Sequence, residues 1–379
     1  MQDVEGNRDH RRVERQFFTL LRSGLWNEVP DRTLFAPGGT DWETLYRLSH
    51  EQTVVGLVTD GINRLPQEFL PAEPKRLDPF LGDMMATARR NAQLDAFIPK
   101  VFKALDGIPT VLVKGQALAQ DYPDPPRRQP GDIDLLLLPA SYEAAKAVLL
   151  PKATKVEEEV PSIYHQGLFF RSIEVEIHGS ISTLMSRKLD RRLAAMLEQL
   201  FDGRPLPSVS IGGADIPVPE ANFNAVYIFV HFLQHYWSGG VGLRQLTDWM
   251  TFISVHKRDI HPVLLESDLE RLGLKHLWQV FTGFAQEYLG CPAQMLPLAA
   301  RPDPAKNARI WRYIRRCGNF GKNTDRTRGK ESYLVRKIHS FWQKVVCDRL
   351  RHFRTFPKES LRFFLGAFGY GLQRLSDGE

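Results

Sequence analysis

Apolar residues recur at three- and four-residue spacing through most of the first hundred positions, the period of an amphipathic helix. RRVERQFFTLLRSGLW carries the pattern from Arg11, and DWETLYRLSHEQTVVGLVTDGINRL repeats it behind Asp41, a residue suited to cap a helix. FLGDMMATARRNAQLDAFIPKVFKALDG extends it as a long helix ending near Gly107. The texture changes at Ile108. IPTVLVKG is a short β-branched run stopped by Gly115, GDIDLLLLP is a second strand, and ASYEAAKAVLL is the helix after it. HQGLFFR and the strictly alternating SIEVEIHGS are two further strands. Helical spacing returns after Pro217 and Pro219 and runs to about Leu298, where PLAARPDPAKN forms a polar connector. The pattern predicts an α+β chain in four parts: a helical region over 1–107, a strand-bearing core over 108–215, a helical domain over 216–304 and a tail over 305–379. There is no internal repeat.

Two polar positions break the apolar strand GDIDLLLL. Side chains alternate faces along a strand, so Asp132 and Asp134 project to one side, about 6–7 Å apart, while Ile133 and Leu135 face the other. Like charges so close repel, and a divalent cation between them offsets the repulsion. Hard oxygen ligands in an incomplete cage suit Mg²⁺, with Mn²⁺ as the alternative, because the remaining positions are left for water and phosphate oxygens. A lone DxD pair is common at strand ends, so its neighbours decide. In SIEVEIHGS, Glu174, Glu176 and His178 share one face, and Glu176 completes a carboxylate trio if this strand lies beside GDIDL; otherwise both Glu residues line a solvated sheet face. Lys114 and Gly115 end the preceding strand, where a glycine admits close backbone approach to a phosphate and a lysine adds charge. Arg127 and Arg128, in the proline-stiffened YPDPPRRQP, could neutralise a triphosphate or pair with the acidic cluster.

The ordered set VLVKGQAL, YPDPPRRQPGDIDLLL, VEIHG and HFLQHYWSGGVGLRQLTDW resembles the uncharacterised bacterial nucleotidyltransferase family of the polymerase-β-like superfamily, over roughly residues 10–290. The resemblance implies a small mixed sheet with flanking helices that carries a glycine turn, a DxD pair and a third acidic strand residue. By that resemblance Asp132 and Asp134 bind Mg²⁺ and Glu176 is the third acid; Lys114, Gly115 and Arg128, from their own chemistry, and Arg244, as a position within the resemblance, are the expected nucleotide contacts. The implied activity moves a nucleoside monophosphate from an NTP, ATP included, to a hydroxyl acceptor with release of pyrophosphate. The alternative is a degenerate member that binds nucleotide or a partner without turnover. Gln116 stands where the superfamily usually has Ser, and the segment from Gly115 to Asp132 is long.

In VHFLQHYWSGGVGLRQLTDWM, His231 and His235 are four apart on one helix face, a zinc-compatible spacing without the HExxH pattern or a third ligand. Arg244 and Asp248 are also four apart, so an intrahelical ion pair competes with a role for Arg244, or for His235, at the nucleotide or acceptor.

Composition narrows the classes. At 379 residues and 43% hydrophobic content the chain can bury more than one core. Cys291, Cys317 and Cys347 form no zinc or disulfide pattern and read as reduced thiols of a cytoplasmic protein. The charged MQDVEGNRDHRRVERQ is not a signal peptide, and no apolar run approaches the roughly 18–20 residues that span a bilayer. The net charge of +6 is uneven, because residues from Ala305 onward hold 18 Lys and Arg against 6 Asp and Glu. In that tail Leu334, Ile338, Phe341, Trp342, Val345 and Val346 fall at helical spacing among basic residues. Such a helix suits docking on the acidic remainder of the chain, which is the favoured reading, peripheral membrane contact, or nucleic acid. No recognisable RNA-binding module or aromatic stacking platform supports the last.

Overall fold

The computed structural model describes residues 2–183, 185–319 and 352–366. Four α-helices open the chain: α1 (Gln2–Trp26), α2 (Trp42–Glu51), α3 (Val55–Asn63) and α4 (Asp78–Ala104). Asp41 caps α2 by accepting from the Thr44 amide. Gly24 of α1 and Gly61 of α3 lie where these two helices touch. A methyl group on Gly61 would collide with the Leu20 carbonyl, and one on Gly24 with that of Leu57. Only glycine permits so close an approach.

The middle of the chain forms β1 (Val111–Val113), α5 (Gly115–Ala119), β2 (Ile133–Leu136), α6 (Pro139–Leu149), β3 (Lys155–Val156), β4 (His165–Phe170), β5 (Ile173–His178), α7 (Arg187–Leu200), β6 (Ser208–Ile211) and β7 (Ala214–Pro217). The five-stranded sheet has the order β1-β2-β5-β4-β3, in which β2 and β5 run parallel and the other neighbours antiparallel. β6 and β7 form a separate hairpin that the hydrophobic pattern did not flag. Its turn is Gly212-Gly213 with φ of +58° and +79°. A Gly-Gly pair between two short extended runs is the usual signal for such a turn, and it was present in SVSIGGADIP.

Alternation gives the sheet two different faces. Leu112, Ile133, Leu135, Leu168, Val175 and Ile177 are buried against Leu94, Ile98 and Val101 of α4 and Tyr142, Ala145 and Leu149 of α6. Val111, Val113 and Leu136 point the other way into the helical core. By register Asp134, Glu176 and His178 share this second side, so the acidic face is roofed by helices, not solvated.

The roof comes from α8 (Ala221–Ser238), α9 (Leu243–Val255), α10 (Pro262–Leu272), α11 (Lys275–Leu289) and α12 (Pro304–Cys317). An aromatic cluster joins α8, α9 and α11: Phe229 stacks on Trp249 at 4.6 Å and meets Trp278 edge-on at 5.1 Å. Phe17 and Phe18 of α1 pack on Trp311 of α12, and one hydrophobic core therefore includes helices from both ends of the chain. Phe356 and Phe363 dock on Trp237. The molecule is a mixed α+β protein with a small mixed sheet. Among the described residues no helix is long and apolar enough to cross a membrane. The basic run from Leu334 to Val346, with Cys347, lies outside the described residues.

Candidate active site

Parallel pairing of β2 with β5 sets Asp134 directly across from Glu176. Asp132 precedes β2 by one residue. Carboxylate oxygens of Asp132, Asp134 and Glu176 lie within 4.8 Å of one another. They floor a cavity of about 280 Å³ whose roof is Ile228, His231 and His235 of α8 and Arg244, Gln245 and Asp248 of α9. The donor set is three hard oxygens opening to a cleft, which fits a divalent cation such as Mg²⁺ or Mn²⁺.

Lys114 supplies the charge that lets this cluster persist. Its Nζ is 2.5 Å from Asp134 Oδ1 and 3.2 Å from His231 Nε2. Burial alone would lower the ammonium's pKa, but the Asp134 charge reverses this and holds it above the lysine range. The backbone that aims the side chain is strained: Lys114 has φ 56° and ψ −147°, a region occupied almost only by glycine. Gly115 follows at φ +40°, and a Cβ there would meet the Asp132 carbonyl at 3.1 Å. The turn thus presses against the start of β2.

The carboxylates differ in environment. The Asp134 charge and burial push Asp132 up to about 6. Burial would also raise Glu176, yet hydrogen bonds from His165 and His178 outweigh it and hold Glu176 well below the carboxylate range. His178 Nε2 lies 3.0 Å from Asp134 Oδ1 and 3.2 Å from Glu176 Oε2. Glu174 is pushed up to about 7 by burial and by Glu176.

Arg128 lines the cavity, but its guanidinium is engaged. Nε and Nη2 donate to the two oxygens of Asp248 at 2.7 and 2.8 Å, and Tyr122 Oη donates to the same carboxylate at 2.6 Å. The simple expectation of an Arg244–Asp248 pair along one helix therefore gives way to a pair between residues 120 positions apart. Arg244 Nη1 instead donates to the carbonyls of Gln129 and Pro130, at 3.0 and 3.4 Å, which steadies the loop leading into Asp132. Its buried Nε has no hydrogen-bond partner. Gln116 contributes nothing polar to the cavity, since its amide donates to Asp95 at 2.6 Å.

His231 and His235 meet edge to face, with ring centres 4.5 Å apart, rather than forming a ligand set. Both Lys114 Nζ and His235 Nε2 approach His231 Nε2, at 3.2 and 3.0 Å. That atom must accept, so His231 is neutral with its proton on Nδ1. Burial and the Lys114 charge push His231 well below the histidine range and His235 down to about 4. The residues that the sequence reading missed are His165, Tyr122 and the partnership of Asp248 with Arg128. Only His165 left a local trace, as the first position of the strand candidate HQGLFFR.

No curated protein and no solved structure matches the chain. A model of a protein family described as uncharacterised nucleotidyltransferase matches residues 38–290. That span is most of the chain and contains the three carboxylates, the Lys114–Gly115 turn and helices α8 and α9 over the cavity, and the chain belongs to this uncharacterised nucleotidyltransferase family.

Proposed function

We propose that this protein transfers a nucleoside monophosphate from an NTP to a hydroxyl of an acceptor, releasing pyrophosphate, on a polymerase-β-like core formed by residues 108–215. The observation that carries the reading is the meeting of Asp132, Asp134 and Glu176 on two parallel strands beside the Lys114–Gly115 turn. In this reading the three carboxylates hold Mg²⁺ or Mn²⁺. When bound, such an ion supplies charge neutralisation at the transferring phosphate and lowers the pKa of a coordinated hydroxyl.

The chain's own residues then have distinct tasks. Lys114, now balancing Asp134, becomes available to the β- or γ-phosphate once the carboxylates are otherwise neutralised. Gly115 leaves room for a phosphate against the backbone. Arg244 brings an unspent Nε donor to the same cavity. Arg128 acts through Asp248 to fix the loop before β2, and its charge reaches the nucleotide only at longer range. Catalysis of this kind rests on positioning and electrostatics.

A second reading, nucleotide binding without turnover, draws support from Gln116, whose side chain is turned to Asp95 and leaves no hydroxyl at the turn. Incubation with α-labelled NTPs, Mg²⁺ or Mn²⁺ and cell extract separates the two. Label transferred by wild type and lost in Asp132→Asn and Asp134→Asn supports transfer. Nucleotide binding with no transfer favours the module, and equal transfer by folded variants defeats the active-site assignment.

A further inference from the structure

Beside the three carboxylates lies a second constellation of different chemistry. His165 of β4 and His178 of β5 are cross-strand register partners, so their rings rise from the same face of the sheet. Both reach Glu176 Oε2, His178 Nε2 at 3.2 Å and His165 Nε2 at 3.5 Å, while His178 Nε2 also lies 3.0 Å from Asp134 Oδ1. The three ligand atoms all lie within 4.8 Å of one another. Two of the three separations are close to the edge of a tetrahedron, about 3.3–3.4 Å, built on metal–ligand bonds of roughly 2.0–2.1 Å. Gly167 stands opposite Glu176 and adds no side chain that would fill the space. A Cβ there would meet Glu157 Oε2 at 3.0 Å, which brings a further carboxylate near the cluster.

We propose that His165, His178 and Glu176 form a transition-metal site, distinct in ligand type from the oxygen-only trio of Asp132, Asp134 and Glu176. Two imidazoles and one carboxylate favour Zn²⁺ or Co²⁺ over Mg²⁺. Glu176 has two oxygens and joins the two sites, so the sheet face offers a mixed centre with one hard and one softer position. This assignment does not rest on nucleotidyl transfer, because it concerns binding of the metal alone.

The test uses the full chain, stripped with chelator and titrated with Co²⁺, Zn²⁺ and Mg²⁺ in separate experiments. Co²⁺ should give visible absorption of a four- or five-coordinate site, bleached by stoichiometric Zn²⁺. His165→Gln combined with His178→Gln keeps amide donors facing Glu176 while removing the imidazole ligands. This variant should weaken Co²⁺ and Zn²⁺ by roughly tenfold or more, a clearly larger loss than it causes for Mg²⁺. Asp132→Asn should do the reverse. X-ray absorption of the wild-type Co²⁺ complex should show imidazole scattering, a readout independent of any variant's folding. Unchanged Co²⁺ affinity in the Gln variant, or an oxygen-only spectrum in wild type, overturns the site. Bands lost on His231→Gln but retained in the His165/His178 variant overturn it too. Label transfer that persists when these metal readouts fail removes the histidine site alone, and failed transfer leaves them untouched.

Discussion

Lys114 Nζ lies 2.5 Å from Asp134 Oδ1, at the end of a residue whose φ of 56° only glycine adopts readily. The strain and the ion pair explain one another. Without an ammonium here, three carboxylates would share a buried face with no cationic side chain of Lys or Arg in direct contact, an arrangement that favours protonation or unfolding. In the metal-free chain Lys114→Met should therefore cost about 3–5 kcal/mol by urea denaturation, the usual effect of breaking a buried pair. Added Mg²⁺ or Mn²⁺ should return more stability to the variant than it gives wild type, because it meets carboxylates that have lost their counter-ion. Equal metal-induced gains in both proteins would show that Lys114 does not stand in for the cation.

Arg244 is the cavity's least committed cation, with Nη1 on two loop carbonyls and a buried Nε on nothing. Arg244→Ala should reduce NTP affinity about tenfold, the order expected for one charge-assisted contact. Arg244→Lys keeps the charge but loses the guanidinium whose Nη1 holds Gln129 and Pro130 and whose Nε is left to donate, so it should recover only part of that loss. Calorimetric titration with a non-hydrolysable NTP and Mg²⁺ measures both. Wild-type affinity in a folded Arg244→Ala protein would confine this side chain to holding the loop.

The difference between these two cations also marks what was legible in the sequence. Strand alternation placed Asp132 with Asp134, and separately Glu176 with His178, since a two-residue period needs no tertiary information. It also gave Lys114 at the strand end. The pairing of Arg128 with Asp248 could not be seen, because it joins residues 120 positions apart through a loop and a helix. At short range Asp248 had a nearer apparent partner in Arg244, and spacing alone prefers the nearer one. His165 was hidden likewise: its role arises from the antiparallel register of β4 on β5, which no local pattern encodes. The β6–β7 hairpin differs, since its Gly-Gly turn was visible and outweighed by the longer patterns on either side.

His256 caps the far side of α9's segment through an ion pair, with Nε2 2.9 Å from Asp121 Oδ1. The hydrogen bond to Asp121 raises the imidazole's pKa, against a smaller lowering by burial. A raised folded pKa means that the native state binds the proton more tightly than the unfolded chain. The contribution is thus fully present below the unfolded histidine value of about 6.5 and is lost as pH rises through the folded midpoint. Asp121→Asn should lower the His256 midpoint in an NMR titration. The stability gap between wild type and this variant should be widest on the acid side and should narrow toward alkaline pH. A gap that widens with rising pH would contradict the assignment.

Arg128, Asp248 and Tyr122 form a buried polar group at the cavity, with Arg128 4% and Asp248 5% exposed. Desolvating both ions is costly, and a paired, doubly hydrogen-bonded geometry recovers most of that cost. Removing one partner leaves the other charge buried alone. Arg128→Met and Asp248→Leu should each destabilise the protein by about 3–5 kcal/mol. The double variant should be more stable than either single one, because no uncompensated charge remains. A double-mutant cycle in urea gives the coupling directly. If Arg128 instead served chiefly as a phosphate ligand, Arg128→Met would leave stability nearly unchanged and weaken NTP binding. The bidentate geometry predicts the opposite order, with stability failing first and nucleotide affinity changing mainly through displacement of the Gln129–Gly131 loop.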